Sequence, residues 1–239
     1  MTKIDIISGF LGAGKTTLIK KLIEEAFTGE KLVLIENEFG EIGIDGGFLK
    51  DSGINITEMN SGCICCSLVG DFGTALAEVL EKYAPDRIII EPSGVGKLSD
   101  VIKAVLGVKE KVAEDSVVLN SFTTVADATK CKMYMKNFGE FYNNQVEHAG
   151  TIVLSRTANM KEDKLQACID LIRTQNTEAS IITTPWDQIN GKQILDAMEK
   201  RNDLVKELLE EEDVCPECGH HHEHGEECDH DHHHEHHHD

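Results

Sequence analysis

An eight-residue motif near the start of the chain constrains the fold more than any other feature. Gly9 to Thr16 reads GFLGAGKT, which fits the pattern G-x-x-x-x-G-K-[ST]. The motif follows an apolar run, Ile4–Ser8, and opens an amphipathic stretch, Thr16–Ala26, so it joins a predicted strand to a predicted helix. In that context glycines let successive N–H groups point at phosphate oxygens, and the helix N-terminus adds partial positive charge. The motif therefore predicts a phosphate-binding loop.

The residues of this loop have distinct predicted roles in binding a nucleoside triphosphate. Lys15 is expected to reach the β- and γ-phosphates, and the Thr16 hydroxyl is expected to ligate Mg²⁺. Thr17 is predicted to border the α-phosphate. The other residues of the cradle are Gly9, Gly12, Ala13 and Gly14.

A second element of the predicted nucleotide site follows the β-branched run Ile88–Ile90. This run ends in Glu91, and a carboxylate there either holds the Mg²⁺ shell or orients the attacking water. Gly94 lies three residues later, and its amide is expected to sense the γ-phosphate. Lys15 and Glu91 are therefore candidate catalytic residues.

Short apolar runs alternate with helical patterns along the chain, which is typical of a parallel sheet with crossover helices. We predict an α/β fold, a P-loop NTPase with a mostly parallel, helix-flanked sheet in residues 1–212, followed by a tail in residues 213–239. The predicted strands are Ile4–Ser8, Lys31–Glu36, Ile54–Met59, Asp86–Glu91, Ser116–Ala126, Thr151–Ser155 and Ile181–Thr183. The predicted helices are Thr16–Ala26, Phe72–Tyr83, Ser99–Leu106, Thr129–Asn137, Lys161–Thr174 and residues 191–211.

Charge and hydropathy argue against two classes of partner. The formal net charge is -20, and so acidic a chain disfavours a broad nucleic-acid-binding surface. No apolar run reaches the roughly 18 residues that a membrane span needs. The amino-terminal residues fit a first core strand better than a signal peptide, which points to the cytoplasm.

A cluster of three cysteines predicts a metal site in the body of the chain. Cys63, Cys65 and Cys66 lie within four residues. Thiolates bind Zn²⁺ or Cu⁺ tightly, and three of them leave one position for a carboxylate, a histidine, water or a transfer partner. A redox pair is the alternative, although the CxCC spacing favours metal. Cys131 and Cys168 are isolated on helical patterns, and we interpret them as small buried hydrophobic residues.

Four motifs together resemble the CobW-like branch of the GTPase family that also holds UreG and HypB. They are GFLGAGKTT, IENEFGEIGID (residues 35–45), GCICC and EPSG, and the resemblance covers roughly residues 1–185. It implies GTP hydrolysis with Mg²⁺ and Zn²⁺ binding at the cysteine motif. It also implies that the metal-binding or switch acids are Glu36 and Glu41, the latter a candidate catalytic residue. The switch segment, residues 37–45, would connect the nucleotide state to the geometry of the thiols.

The sequence departs from this family in the segment that reads the base. Guanine-specific GTPases carry [NT]-K-x-D, whereas the aligned residues here are Ser155, Arg156, Thr157 and Ala158. Arg156 provides a plane that can stack on the base, but Ala158 has no carboxylate to accept from guanine. The loss of such a contact removes about 1 to 3 kcal/mol of discrimination, so ATP stays open as a ligand unless another group reads guanine. Asp127 matches a strand-end aspartate of the family.

The acidic tail stands where the family usually has a C-terminal domain, and it carries a second set of candidate metal ligands. Eleven of the 12 histidines lie in this tail, and Cys-Pro-x-Cys resembles half a zinc ribbon. We expect the tail to be disordered without metal, because it has almost no hydrophobic residues. Its candidate ligands for Zn²⁺, Ni²⁺ or Co²⁺ are Cys215, Cys218, His220 and Cys228.

The leading hypothesis is a nucleotide-hydrolysing metallochaperone that uses GTP and delivers a transition metal, zinc before nickel, cobalt or iron, to a client metalloprotein. The alternative is a metal-buffering protein whose nucleotide site is regulatory or relaxed in specificity, and the Ala158 departure favours it. A small-molecule kinase is a third interpretation, against which the cysteine motif argues. A homodimer is compatible with each of these hypotheses.

Overall fold

Parallel strands form the frame of the molecule. The computed structural model describes residues 1–36, 56–60, 69–109, 112 and 116–200. Within them the sheet has seven strands in the order β3-β2-β4-β1-β5-β6-β7, and every described pair is parallel. The strands are β1 (Thr2–Gly9), β2 (Leu32–Glu36), β3 (Ile56–Asn60), β4 (Arg87–Glu91), β5 (Val117–Asp127), β6 (Thr151–Ser155) and β7 (Ser180–Ile182).

Helices connect successive strands and cover both faces of the sheet. The described helices are α1 (Lys15–Glu25), α2 (Val69–Tyr83), α3 (Leu98–Lys109), α4 (Cys131–Asn137), α5 (Gly139–Glu147), α6 (Glu162–Arg173) and α7 (residues 191–200). None of them is long and apolar enough to cross a membrane.

The alternation of side chains along each central strand builds two cores, one on each face. In β1, Ile4 and Ile6 belong to the core that also contains residues of α3 to α6, whereas Ile7 belongs to the core beneath α1 and α7. In β4, Ile88 and Ile89 divide in the same way. Strands covered on both faces favour apolar residues at successive positions, which is why these strands contain runs of isoleucine. Each fully buried isoleucine contributes about 1.5 to 3 kcal/mol.

The parallel register brings the carboxyl ends of the central strands to one edge of the sheet. Gly9 at the end of β1 pairs with Val125, and Glu36 at the end of β2 pairs with Glu91 at the end of β4. Parallel α/β sheets bind their ligands at this edge. The fold therefore gathers the sequence motifs that lie far apart in the chain.

A buried arginine organises the other edge of the sheet. Arg87, at the start of β4, donates to the carboxylates of Asp5 in β1, Glu30 and Glu199 in α7. Its guanidinium also lies 4.5 Å from the ring centroid of Phe27. Burial works against the charged form of Arg87, but the carboxylates of Glu30 and Asp5 outweigh it and hold its pKa above the ordinary value. This ion cluster connects β1, β4 and α7.

The predicted fold class is confirmed. All seven predicted strands are present to within two residues, and the predicted helices to within three residues over their described parts. The sequence analysis missed α5, which begins at Gly139 without a side-chain cap. The domain boundary at residue 212 and the tail lie outside the described residues.

Candidate functional site

The phosphate-binding loop lies between β1 and α1, as predicted. Gly9 packs so closely on β5 that a Cβ there would lie 2.5 Å from the Val125 carbonyl oxygen. Gly14 precedes α1 as its N-cap with a left-handed φ of 108°. An L side chain at either position would force the backbone to move. These two glycines therefore fix the path of the loop.

The first turn of α1 provides an environment suited to anions. Lys15, the first residue of α1, is buried, and the first turn contains no acidic residue. The N–H groups of that turn have no intrahelical acceptor, and the helix dipole favours negative charge beside them. The loop can therefore hold a phosphate group against Lys15, Thr16 and Thr17.

An oxygen pair lies beside this turn. The Thr16 hydroxyl donates to Glu91 Oε1 over 3.0 Å, so residues 75 positions apart in the chain meet at the carboxyl ends of the strands. Glu91 and its register neighbour Glu36 are both buried. Mg²⁺ prefers hydroxyl and carboxylate oxygens, so the chemistry of these donors fits this cation. Thr16 and Glu91, which the sequence singles out separately, are therefore neighbours in the fold.

The loop after β4 lies against the phosphate-binding loop. An added Cβ on Gly94 would meet the Leu11 side chain at 2.7 Å and the Leu11 backbone nitrogen at 2.8 Å. Gln145 of α5 is fully buried and donates through Nε2 to the carbonyl oxygens of Gly94 (3.1 Å) and Gly96 (2.8 Å). Gln145 thus holds Gly94 in place. The sequence analysis missed Gln145 because no local motif marks a residue that acts through tertiary contacts.

A cavity of about 320 Å³ opens beside the phosphate-binding loop. It is lined by residues of three segments, 13–17, 155–158 and 185–187. The Ser155 hydroxyl donates to the Ala13 carbonyl oxygen over 2.7 Å, and Trp186 Nε1 donates to the Leu154 carbonyl oxygen over 2.9 Å. These bonds fasten the walls to each other. The volume is at the lower end of the range for small-molecule pockets.

Arg156 connects the wall of this cavity to the loop. Its guanidinium donates to Asp127 Oδ2 (2.8 Å) and to the Gly12 carbonyl oxygen (2.9 Å), with a left-handed φ of 59°. The sequence analysis expected a stacking plane for the base. The described contacts also give Arg156 and Asp127 a shared role, which is to hold the cavity wall on the phosphate-binding loop.

The cavity contains polar groups that the [NT]-K-x-D comparison did not single out. Thr157 is 6% exposed, and its hydroxyl has no hydrogen-bond partner within the described part of the chain. Asp187 lines the same cavity as Ala158. A carboxylate is therefore available in the pocket, on the segment after β7 rather than on the segment after β6.

Of the predicted transition-metal ligands, only Glu36 lies among the described residues. Glu36 lies at the end of β2, next to Glu91. Among the described residues no group of three or more His, Cys, Asp and Glu side chains is arranged to hold a metal ion. The remaining predicted ligands lie outside the described residues: Glu41, Cys63, Cys65, Cys66, Cys215, Cys218, His220 and Cys228.

Cys131 and Cys168 are buried, as expected, but the description of them as isolated is wrong. Their sulfur atoms are 3.0 Å apart, at the start of α4 and within α6. The two positions are 37 residues apart in the sequence, and only the packing of α4 against α6 brings them together.

The comparison with known families agrees with this geometry. A family model described as the CobW/HypB/UreG nucleotide-binding domain matches residues 3–183. The chain belongs to this family. The match includes the phosphate-binding loop, Glu91 and the wall that contains Arg156.

Similar proteins in the family include several described as zinc chaperones. The chain is 33% identical over 252 residues to the zinc chaperone CobW of Sinorhizobium sp, covering 94% of this chain and 69% of the relative. It is 29% identical over 191 residues to the zinc chaperone YeiR of Escherichia coli, covering 80% of this chain and 57% of that protein. The chain spans 49% of the zinc chaperone YjiA of the same organism, with 31% identity over 64% of its own length. The chain thus spans 49% to 69% of the length of these relatives.

Solved structures support the fold. The Zn(II)-bound YjiA GTPase from E. coli matches with a TM-score of 0.56 and 24% identity, covering 80% of this chain and 62% of that one. HypB from Helicobacter pylori in complex with nickel matches with a TM-score of 0.54 and 15% identity, covering 88% of each chain. At these identities the likeness concerns the fold alone.

Proposed function

We propose that this chain is a Mg²⁺-dependent GTPase that couples nucleotide hydrolysis to the binding and delivery of a transition metal, zinc, to a client metalloprotein. The contact between Thr16 and Glu91 carries the proposal, because it sets a hydroxyl and a carboxylate beside the phosphate-binding loop. A loop that only bound phosphate would not need a buried carboxylate facing it. The family supports a nucleotide site of this kind.

The proposed chemistry follows from the residues around the loop. Lys15 and the first turn of α1 bind the β- and γ-phosphates, while Gly94, held by Gln145, contacts the γ-phosphate through its amide. Thr16 and Glu91 are the residues that would hold Mg²⁺, and the ion would supply positive charge next to the phosphate oxygens. Glu91 also has the position to orient the attacking water, with Glu41 as a further candidate.

The register of the sheet supports a link between this site and the cysteine motif. Asn60, the last residue of β3, pairs with Glu36, and Glu36 pairs with Glu91. Cys63 follows Asn60 by three residues, and three residues of chain span at most about 11 Å. The cysteine motif therefore follows, along the chain, directly after a strand that ends at the nucleotide edge. A change of nucleotide state at Glu91 and Glu36 is well placed to alter thiol geometry.

We propose zinc as the metal held by Cys63, Cys65 and Cys66, with Glu36 or Glu41 as further ligands. Thiolates with one carboxylate fit a tetrahedral Zn²⁺ site. The relatives described as zinc chaperones agree with that preference. The tail ligands, Cys215, Cys218, His220 and Cys228, are proposed to collect metal for this site, and Ni²⁺ or Co²⁺ would also fit their imidazoles. We propose that the protein acts in the cytoplasm, where thiols stay reduced.

We propose guanine as the base, read in the cavity beside Arg156. Asp187 lines that cavity and is exposed, so its carboxylate can turn towards a base bound there. A carboxylate accepts from the N–H groups of guanine and repels the acceptor at the same position of adenine. Asp187 would therefore take the role that Ala158 cannot fill.

Hydrolysis by a Glu91→Gln variant tests the proposed activity. We expect the wild type to release phosphate from GTP only with Mg²⁺, at a turnover below about 0.1 per second, as in unstimulated GTPases. Glu91→Gln keeps the shape of the side chain but removes its charge, and it should lower turnover by about 100-fold. Glu162→Gln, at an exposed position of α6, is the matched control and should leave turnover unchanged.

Equal turnover of the Glu91→Gln variant and the wild type would contradict the assignment of Glu91. Turnover of many per second without a partner would contradict the slow cycle. Tight nucleotide binding without any Mg²⁺-dependent hydrolysis would instead support the metal-buffering alternative, which the Ala158 departure favours.

A further inference from the structure

We propose that Cys131 and Cys168 form a reversible intramolecular disulfide, a modification site separate from the predicted metal-binding cysteines. The site would react with small two-electron oxidants of the peroxide class. The proposal does not depend on the proposed GTPase activity, because it uses contacts between α4, α5 and α6 alone.

The two sulfur atoms are already close to bonding distance. Cys168 Sγ lies 3.0 Å from Cys131 Sγ, and a disulfide bond is about 2.05 Å long. Cys131 begins the short helix α4, so a shift of about 1 Å needs no rearrangement of the sheet. Both side chains are buried, at 1% exposure for Cys131 and 5% for Cys168, so only a small oxidant can reach the pair.

Hydrogen bonds prepare Cys131 to react. The Cys168 thiol and the Tyr142 hydroxyl both lie within donor distance of Cys131 Sγ, at 3.0 and 3.1 Å. The bond from Cys168 outweighs burial and lowers the pKa of Cys131, whereas the bond to Cys131, together with burial, raises the pKa of Cys168. A thiolate is the nucleophilic form of cysteine. Cys131 therefore attacks the oxidant, and Cys168 resolves the product.

The reaction balances with hydrogen peroxide as the oxidant. The Cys131 thiolate attacks one peroxide oxygen and breaks the O–O bond, which yields a sulfenic acid and, after protonation, one water. The Cys168 sulfur then attacks the Cys131 sulfur, forms the S–S bond and expels the hydroxyl as a second water. The two thiols lose two electrons and two protons in total, and a dithiol reductant reverses the step.

The geometry favours a disulfide over a metal site at this pair. Two thiolates on one tetrahedral Zn²⁺, each with a Zn–S bond of about 2.3 Å, lie about 3.8 Å apart. The observed separation is shorter, at 3.0 Å. The described residues also provide no group of three His, Cys, Asp or Glu ligands here.

The disulfide would link α4 to α6 close to the cavity wall that contains Arg156. Cys131 Sγ lies 3.4 Å from the carbonyl oxygen of Asp127, whose carboxylate binds Arg156. A cross-link here closes a long loop of chain and restricts the unfolded state. We therefore expect the oxidised protein to be more resistant to heat than the reduced one.

The test uses the full-length, metal-free protein treated with a small excess of hydrogen peroxide and then with an alkylating agent in denaturant. Peptide mapping by mass spectrometry should find a cross-link between Cys131 and Cys168, and dithiothreitol should remove it. The melting temperature should rise by about 5 to 15 °C on oxidation. Cys168→Ser should abolish the rise, whereas a Cys63→Ser, Cys65→Ser and Cys66→Ser variant should keep both the cross-link and the rise.

Free alkylation of both cysteines after oxidation of the wild type would overturn the proposal, and this result does not depend on the folding of any variant. Cross-links from Cys131 only to cysteines other than Cys168 would overturn it too. So would stoichiometric Zn²⁺ binding that needs Cys131 and Cys168 and survives the triple serine change.

Discussion

Ala158 and Asp187 line the same cavity, and we expect these two residues to determine the preference for guanine or adenine. Ala158 is on the segment after β6, where guanine-specific GTPases have a carboxylate, and Asp187 is on the segment after β7. We expect Ala158→Asp to raise the preference for GTP over ATP by about 5- to 150-fold, because it adds a base contact of about 1 to 3 kcal/mol. Competitive binding of fluorescent GTP and ATP analogues measures this preference.

Asp187→Asn should have the opposite effect and lower the preference for GTP. The exposed Asp196 of α7 offers the matched control, Asp196→Asn, which should change nothing. If Asp187→Asn bound GTP and ATP in the same ratio as the wild type, Asp187 would not read the base.

Individual site residues can be predicted from the sequence where a single local motif contains them. The loop from Gly9 to Thr16 and its contact with Glu91 follow from spacing and strand ends, since phosphate binding requires those residue types at those positions. Arg156 was harder to predict. Its partners, Asp127 and the Gly12 carbonyl, come from two distant segments that meet only in the folded chain.

Among the elements, α5 contacts the nucleotide edge through the side chain of Gln145. Gln145 donates to two carbonyl oxygens in the loop after β4 and is fully buried. Gln145→Leu leaves both carbonyls without this donor, so we expect it to lower the free energy of unfolding by about 1 to 3 kcal/mol. Urea denaturation followed by circular dichroism measures the loss.

Gln166→Leu, at an exposed position of α6, serves as the control for this change and should stay within about 0.5 kcal/mol of the wild type. A Gln145→Leu variant as stable as the control would show that the loop after β4 does not depend on α5.

The Arg87 cluster makes a second prediction about elements, because it joins β1 and β4 to α7. Arg87→Met leaves the fully buried Asp5 without its charge partner, and removing one partner of a buried pair costs about 3 to 5 kcal/mol. Adding Asp5→Asn should recover part of this loss, since it removes the uncompensated charge. Lys103→Met, on the exposed face of α3, is the control.

Equal losses in the Arg87→Met single variant and in the double variant with Asp5→Asn would contradict this account, because the charge on Asp5 would then not matter. The same denaturation experiment reads both variants. The comparison separates lost charge pairing from lost packing on Phe27, which both variants share.

Elements were predictable to different degrees for physical reasons. Strands buried on both faces are mostly apolar, so β1, β2 and β4 stand out in the sequence. Helix α5 begins at Gly139 and has no side-chain cap, so the sequence lacks the usual signal for its start. The pairing of Cys131 with Cys168 depends on how α4 packs against α6, which no local pattern encodes.

At the scale of the whole molecule, the proposed link between metal and nucleotide depends on one edge of the sheet. The strands β3, β2 and β4 end side by side at Asn60, Glu36 and Glu91, and the cysteine motif begins shortly after Asn60. If a nucleotide stabilises one conformation of this edge, the protein takes on the Zn²⁺ affinity of that conformation. Thermodynamic linkage makes the effect reciprocal.

The most direct test of this account is the Zn²⁺ affinity of the full-length protein with and without a non-hydrolysable GTP analogue and Mg²⁺, measured by competition with a chelating dye. Coupling of about 1 to 3 kcal/mol predicts that the nucleotide changes the Zn²⁺ dissociation constant by about 5- to 150-fold. The Cys65→Ala variant should bind less Zn²⁺ and lose that change. A Zn²⁺ dissociation constant that is the same with and without the nucleotide would contradict a nucleotide-driven metallochaperone and support an independent metal buffer.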